Sequence, residues 1–471
     1  MGAISVPVML EQGVLRGMYI AVVLVKPTDF VINIPDFGSG GERTRGPDYS
    51  DTETAERQPM NTNMASKYAA RGRQWGFTLV ELLVAMAIAG ALMAGIVQVF
   101  IGSKATYRVV EDLSRIQESG RFALDMMAWD VRMAGYKGCY SGVSGNEVKN
   151  VLKNADGALY NFGEAIEGFD AVNDDFDDGY LSQTLKDARD TGAGDNELED
   201  FALIDAGSVV HDEPDVIIIR AVFGGSVRVI AQNAQNPGDA TLNGELISSS
   251  TKANACVVGN KPKDMWSGLC EGDIVMVSDC NKSAIFQISS IGKQNDKINI
   301  RHSKGGTVPP GNDEAAWGGN SSEAEKYQSG SEIMKAGTRI YFIANRLGKT
   351  GNLEPVPSLF VLSETGVAEL LAENVEDMQI TYGVDEVNSG KLKQRVSTTG
   401  LDASDVEAGV GWNAVVSAEI RLLMRSGNDF LAPAGEPQAY TFAGTPYSDH
   451  DDRRIRREFA NVVTLRNRAL Q

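Results

Sequence analysis

The residue in this chain whose placement most demands a chemical reason is Glu81. It sits five residues into a run, Phe77 to Ile101, whose only polar side chains are Thr78, Glu81 and Gln98. As a helix those 25 residues span roughly 37 Å, enough to cross a bilayer. A carboxylate at the centre of such a segment costs on the order of 2.5–3.5 kcal/mol to insert, and less near an end. An acid kept in lipid is therefore expected to have a function and a cationic partner in the same layer. Just upstream lies a basic, small-residue stretch containing Lys67, Arg71, Gly72, Arg73 and Gly76.

Other groups capable of chemistry are sparse. The three histidines, His211, His302 and His450, are scattered, and no nucleophile or metal-ligand spacing surrounds them. No phosphate-binding glycine loop, no serine-hydrolase elbow and no zinc-protease motif occurs. The chain proposes no enzyme activity, no cofactor and no metal site. Asn173-Asp-Asp-Phe-Asp-Asp-Gly179 suggests calcium but fails the EF-hand pattern, because Phe176 takes a ligand place and Leu185 the final acidic place. A solvated acidic loop is the favoured reading, with an irregular calcium site as the alternative. Arg453, Arg454, Arg456, Arg457, Arg466 and Arg468 make a basic cluster near the end of an acidic chain. Pairing with the protein's own acids or with another subunit is the simpler expectation than nucleic-acid contact.

The elements that position these groups follow from charge and periodicity. Net charge is −19, and residues 1–76 hold eight basic and eight acidic side chains, so the whole excess falls after Gly76. So acidic a surface repels phosphate, and no nucleic-acid partner is expected. Cys139, Cys256, Cys270 and Cys280 all follow the apolar run, contain no CxxC and suit two disulfides in an oxidising compartment. Spacing leaves three connectivities open; Cys270–Cys280 closes a short loop and leaves Cys139–Cys256, while four buried thiols remain the alternative. Lys67, Arg71 and Arg73 flank one end of the run and an acidic domain the other, which predicts a single-pass protein with a cytoplasmic N-terminus and a periplasmic C-terminal domain.

Residues 1–63 read as a disordered or misannotated extension, with translation expected to start at Met64 or Met60. Residues 64–76 form a basic leader, 77–101 a membrane helix and 102–134 its amphipathic continuation. Val109, Leu113, Ile116, Gly120, Ala123, Met127 and Val131 recur at helical spacing, predicting one helix from Phe77 to about Met133 that stops at Gly135. Residues 135–471 read as an α+β globular domain. Strands are predicted at Asp215–Val222, Ile274–Ser278, Ile285–Ile291, Arg339–Ala344, Ser358–Leu362, Met378–Tyr382, Val416–Met424 and Phe459–Arg466, with loops at 141–210 and 302–332.

Gly76-Phe-Thr-Leu-Val-Glu-Leu-Leu83, after a basic leader and before an unbroken apolar helix, resembles the prepilin-peptidase site of type IV pilins and of type II secretion pseudopilins. The resemblance implies cleavage between Gly76 and Phe77, N-methylation of Phe77, and an assembly charge pair between Glu81 and the Phe77 amine of a neighbour. Asp130-Val-Arg-Met-Ala-Gly-Tyr-Lys-Gly-Cys139, Gly272 to Cys280, Leu371 to Tyr382, Asp452 to Phe459 and Leu465 to Arg468 resemble PilW-type minor pilins. That implies a type IV pilin-like fold, a long helix packed on a mainly antiparallel β-sheet domain with long loops. It also implies a minor pilin that helps initiate assembly near the pilus tip; a minor pseudopilin is the alternative. Implied partners are other minor and major pilins, the prepilin peptidase, the inner-membrane assembly platform and a tip adhesin. Its final location would be the pilus at the cell surface. Many major pilins carry a proline near the end of the membrane segment; here none lies between Phe77 and Pro214.

Overall fold

In the computed structural model, residues 78–139, 148–155, 157–170, 201–203, 214–233, 241–258, 261–306, 308–313, 326–346, 356–363, 368–384, 401–409, 411–429, 439–448 and 452–467 are described. A single 55-residue helix, α1, runs Leu79–Met133. Its end is set by Gly135, whose backbone adopts φ +67°, a left-handed conformation that a glycine takes without the Cβ penalty. The predicted stripe is the packed face. Ile116, Gly120, Ala123, Met127 and Val131 are buried, and Val109 and Leu113 are half-buried. Gly120 is needed for close approach, since a Cβ there would lie 2.9 Å from the Phe459 ring.

The rest is a mainly antiparallel β structure, giving an α+β, pilin-like layout. Among the described residues one sheet has twelve strands and a second has three. In the large sheet, the long strand Glu332–Arg346 pairs with Val216–Asn233 on one side and, successively, with Ile274–Ser278 and Val356–Leu362 on the other. One parallel pairing joins Lys149–Asn150 to Ser283–Gln287. The small sheet has the order Val375–Val384, Val415–Arg425, Arg456–Thr464. Its central strand buries Ala418, Ile420, Leu422 and Met424, as alternation predicts, while Val416 is only half-buried. A register shift between Gly383 and Val384 puts Val415 in its place.

The main core lies where α1 meets both sheets. Ile116, Leu124, Met127 and Val131 share one cluster with Ile217, Ile219 and Ile343 of the large sheet and Met378, Ile420 and Val463 of the small one. Two expectations change. The predicted strand Ile285–Ile291 is broken at Ile288 into Ser283–Gln287 and Ser290–Gln294, which pair with different partners. The predicted loop 141–210 contains strands Ile166–Phe169 and Phe201–Leu203, recruited to the edges of the long strands by long-range pairing that local sequence cannot signal.

Candidate functional site

Glu81 lies in the first turn of α1 and is exposed. It is surrounded by an uncovered apolar surface. From Leu79 to Ile101 fourteen large apolar side chains are exposed, among them Leu79 at 74%, Val99 at 70% and Phe100 at 67%. At about 1.5–3 kcal/mol each, keeping them in water would cost on the order of 20–40 kcal/mol, so lipid or neighbouring helices must cover this segment. The helix is long and apolar enough to cross a membrane, and none of its apolar window is buried within the chain. Gly76 and Phe77 lie outside the described residues. So do Asn173–Gly179, His211, His450 and Arg468.

The opposite end of α1 is fastened. Asp130 is completely buried. Arg339 Nη1 donates to both of its carboxylate oxygens, at 2.6 and 2.9 Å, and the Tyr341 hydroxyl donates to Oδ2. Arg339 also lies over the Phe223 ring, 4.2 Å from its centroid. Burial, and then the Asp130 charge, push the Tyr341 hydroxyl well above its ordinary range, so it stays protonated as a donor. Beyond the helix, Gly135 N donates to Arg220 O at 3.0 Å. Ser278 Oγ donates to Lys137 O at 2.8 Å, and Asn467 Nδ2 to Ala134 O at 3.1 Å.

A covalent link completes the clamp. Cys139 bonds Cys280, and Cys256 bonds Cys270, leaving no free cysteine. Of the three connectivities that spacing leaves open, this is not the one with the short Cys270–Cys280 loop. Cys280 sits in the turn between strands Ile274–Ser278 and Ser283–Gln287, which the Ser278–Lys137 contact brings against the end of α1. Cys256 lies within the first strand of the separate hairpin Lys252–Val258 and Lys261–Met265, and Cys270 follows its second strand.

In the sequence Asp130 stands only as the first residue of a phrase resembling PilW-type pilins, yet it is the buried acid of the clamp. Its signal was there: in helical projection it falls beside Met127 and Val131 on the stripe. Arg220, 2% exposed and donating to Ala158 O and Glu167, gave no signal, because its strand reads as a plain apolar run. His302 is fully buried against Phe286, and burial pushes it down to about 4, so it is neutral at neutral pH. In the terminal arginine cluster, Arg456 pairs with Glu376 and Asp452, and Arg454 donates to Ser426 O. Among the described residues no cluster of three or more metal-ligating side chains occurs.

Two family profiles match the chain. One, described as the prokaryotic N-terminal methylation motif, covers residues 71–97. The other, described as Type IV Pilus-assembly protein W, covers residues 340–467. No curated protein and no solved structure matches the chain. The first match contains Glu81 and most of the uncovered apolar helix, and the second contains Tyr341 and the whole small sheet on which α1 rests. With one N-terminal apolar helix fit for a single-pass inner-membrane anchor, these two matches support a PilW-type type IV pilin.

Proposed function

We propose that this protein is a minor pilin, a non-enzymatic structural subunit that helps initiate type IV pilus assembly and sits at or near the pilus tip. The precursor spans the inner membrane once, with the leader cytoplasmic and the disulfide-bonded domain periplasmic. Prepilin peptidase cuts between Gly76 and Phe77 and the new terminus is methylated. The positively charged Phe77 amine then meets Glu81 of a neighbouring subunit in the apolar layer. Removing either charge leaves the other unpaired and costly there, so the pair selects register during assembly. Its partners are the other pilins and the assembly platform.

The observation that carries this reading is the exposed apolar segment headed by Glu81 on a helix whose far end is clamped into a domain. Mass spectrometry of the mature N-terminus tests it. The expected species begins at N-methylated Phe77, and Gly76→Ala is expected to retain the leader in nearly all molecules. A mature mass unchanged by Gly76→Ala overturns the site. Glu81→Val is expected to be cleaved but left out of filaments; normal incorporation removes the charge pair. Loss of pili with intact secretion on gene deletion separates this role from that of a secretion pseudopilin.

A further inference from the structure

The small sheet has two edges, and the chain treats them differently. Along Val375–Val384 the edge is sealed. Asp215 N donates to Met378 O at 2.8 Å, Ile380 N donates to Asp215 Oδ2 at 2.6 Å, and Tyr382 and Leu401 exchange backbone bonds at 2.7 and 3.2 Å. Along Arg456–Thr464 no described strand pairs on the outer side. An unpaired edge is a row of backbone donors and acceptors, and solvent-facing edges are ordinarily guarded by lysine, proline, bulges or short length. Charged side chains serve the same purpose, and here they occupy only the first three positions, Arg456, Arg457 and Glu458, leaving Phe459–Thr464 without one. The strand is nine residues long, holds an unbroken register with Val415–Arg425, and contains neither lysine nor proline. Its outward row is Ala460, Val462 and Thr464, all exposed, with Val462 at 54%.

Charge indicates what belongs there. Arg454 and Arg456 are engaged within the chain, whereas Arg457 and Arg466, exposed at the two ends of the open edge, form no ion pair with any described residue. Two cations with no ion partner among the described residues bracket about 30 Å of strand, of which the hairpin strand Tyr440–Phe442 approaches only the Arg456 end, on a protein of net charge −19. We propose that this edge accepts an extended segment of a neighbouring subunit, small or β-branched at alternate positions and acidic near its ends, which adds a fourth strand to the small sheet. Backbone bonds supply the docking and the two arginines select an acidic partner. The inference rests on the pilin reading, since it takes the neighbour from the same assembly.

The test uses the full chain in cells that assemble its filament. A photo-cross-linking p-benzoylphenylalanine replaces Val462, with companion probes at Met93 in the apolar helix and at exposed Gln294 in the large sheet. The Val462 probe is expected to trap another pilin through an acidic extended segment, and the Gln294 probe to trap none. Arg457→Glu with Arg466→Glu is expected to cut the Val462 adduct about tenfold, and the double lysine variant to keep it. Cys139–Cys280 formation serves as the folding check. A pilin adduct from Met93 with none from Val462, an adduct indifferent to charge reversal, or capture of something other than a pilin overturns the strand addition. Absence of pilin adducts from Met93 as well overturns the pilin reading, and this inference with it.

Discussion

Residues 79–101 and 109–133 belong to one uninterrupted helix, yet the first segment is wholly exposed while the second contains nine buried residues. The difference is one of pattern. The first half is apolar all round, with no face the domain could select, and the second places its apolar residues on one stripe. The stripe also carries groups that do not merely fill space. Asp130 anchors Arg339 and Tyr341, Asp112 accepts from Asn428 Nδ2 at 3.0–3.1 Å, and Gly120 admits the Phe459 ring. A helix that must leave a bilayer and bear on a domain thus divides its partners along its length. Its docked half is specified by polar contacts and its lipid half by their near absence.

The contrast is broken most severely at Asp130. Asp130→Ala leaves a buried tyrosine hydroxyl and an arginine without their acceptor, and the expected loss is about 3–5 kcal/mol in denaturant unfolding of the mature chain. A loss below 1 kcal/mol would mean that apolar packing alone fastens the helix. Replacing Cys139 and Cys280 together by serine opens a link between positions 141 residues apart. It is expected to cost about 2–4 kcal/mol, and to make the helix end more susceptible to limited proteolysis than the same change at Cys256 and Cys270 does. Gly120→Val inserts a branched side chain where even a Cβ lies within 3 Å of the Phe459 ring. The expected cost is about 1–3 kcal/mol, whereas Gly95→Val, with nothing within 4 Å, is expected to leave domain unfolding unchanged.

The same division governs how much of the molecule its sequence reveals. The helix was legible to within two residues at its start, because period and glycine stop are local. Strand Ile274–Ser278 was legible for the same reason. Val216–Asn233 is foreseen only to Val222; Gly224 at φ +87° and a register shift between Ile333 and Lys335 on the facing strand let it continue. The disulfide pairing was not legible, since it depends on which hairpin turn folds back to the helix end. In the candidate site, Glu81 declares itself by being out of place, whereas Asp130 shows only as an acid beside the apolar stripe, and its partners Arg339 and Tyr341 emerge only once the opposite strand is known.

The smallest expected effect tests where one half of the helix passes into the other. Glu111 and Arg115 form an exposed pair at 2.7 Å, at i,i+4 spacing, just after the apolar segment ends. Exposed pairs of this kind contribute about 0.5 kcal/mol or less, because water screens them and two long side chains must be ordered. Glu111→Gln is therefore expected to change unfolding of the isolated chain by no more than about 0.5 kcal/mol. If the lost stability is instead several-fold larger, the face of α1 bearing this pair is covered in the isolated chain, and the boundary between its two halves lies nearer the membrane segment than residue 109. If the isolated chain is indifferent while filament incorporation falls, the pair is buried only in the assembly. Neighbouring subunits would then cover α1 past the end of its lipid-facing half.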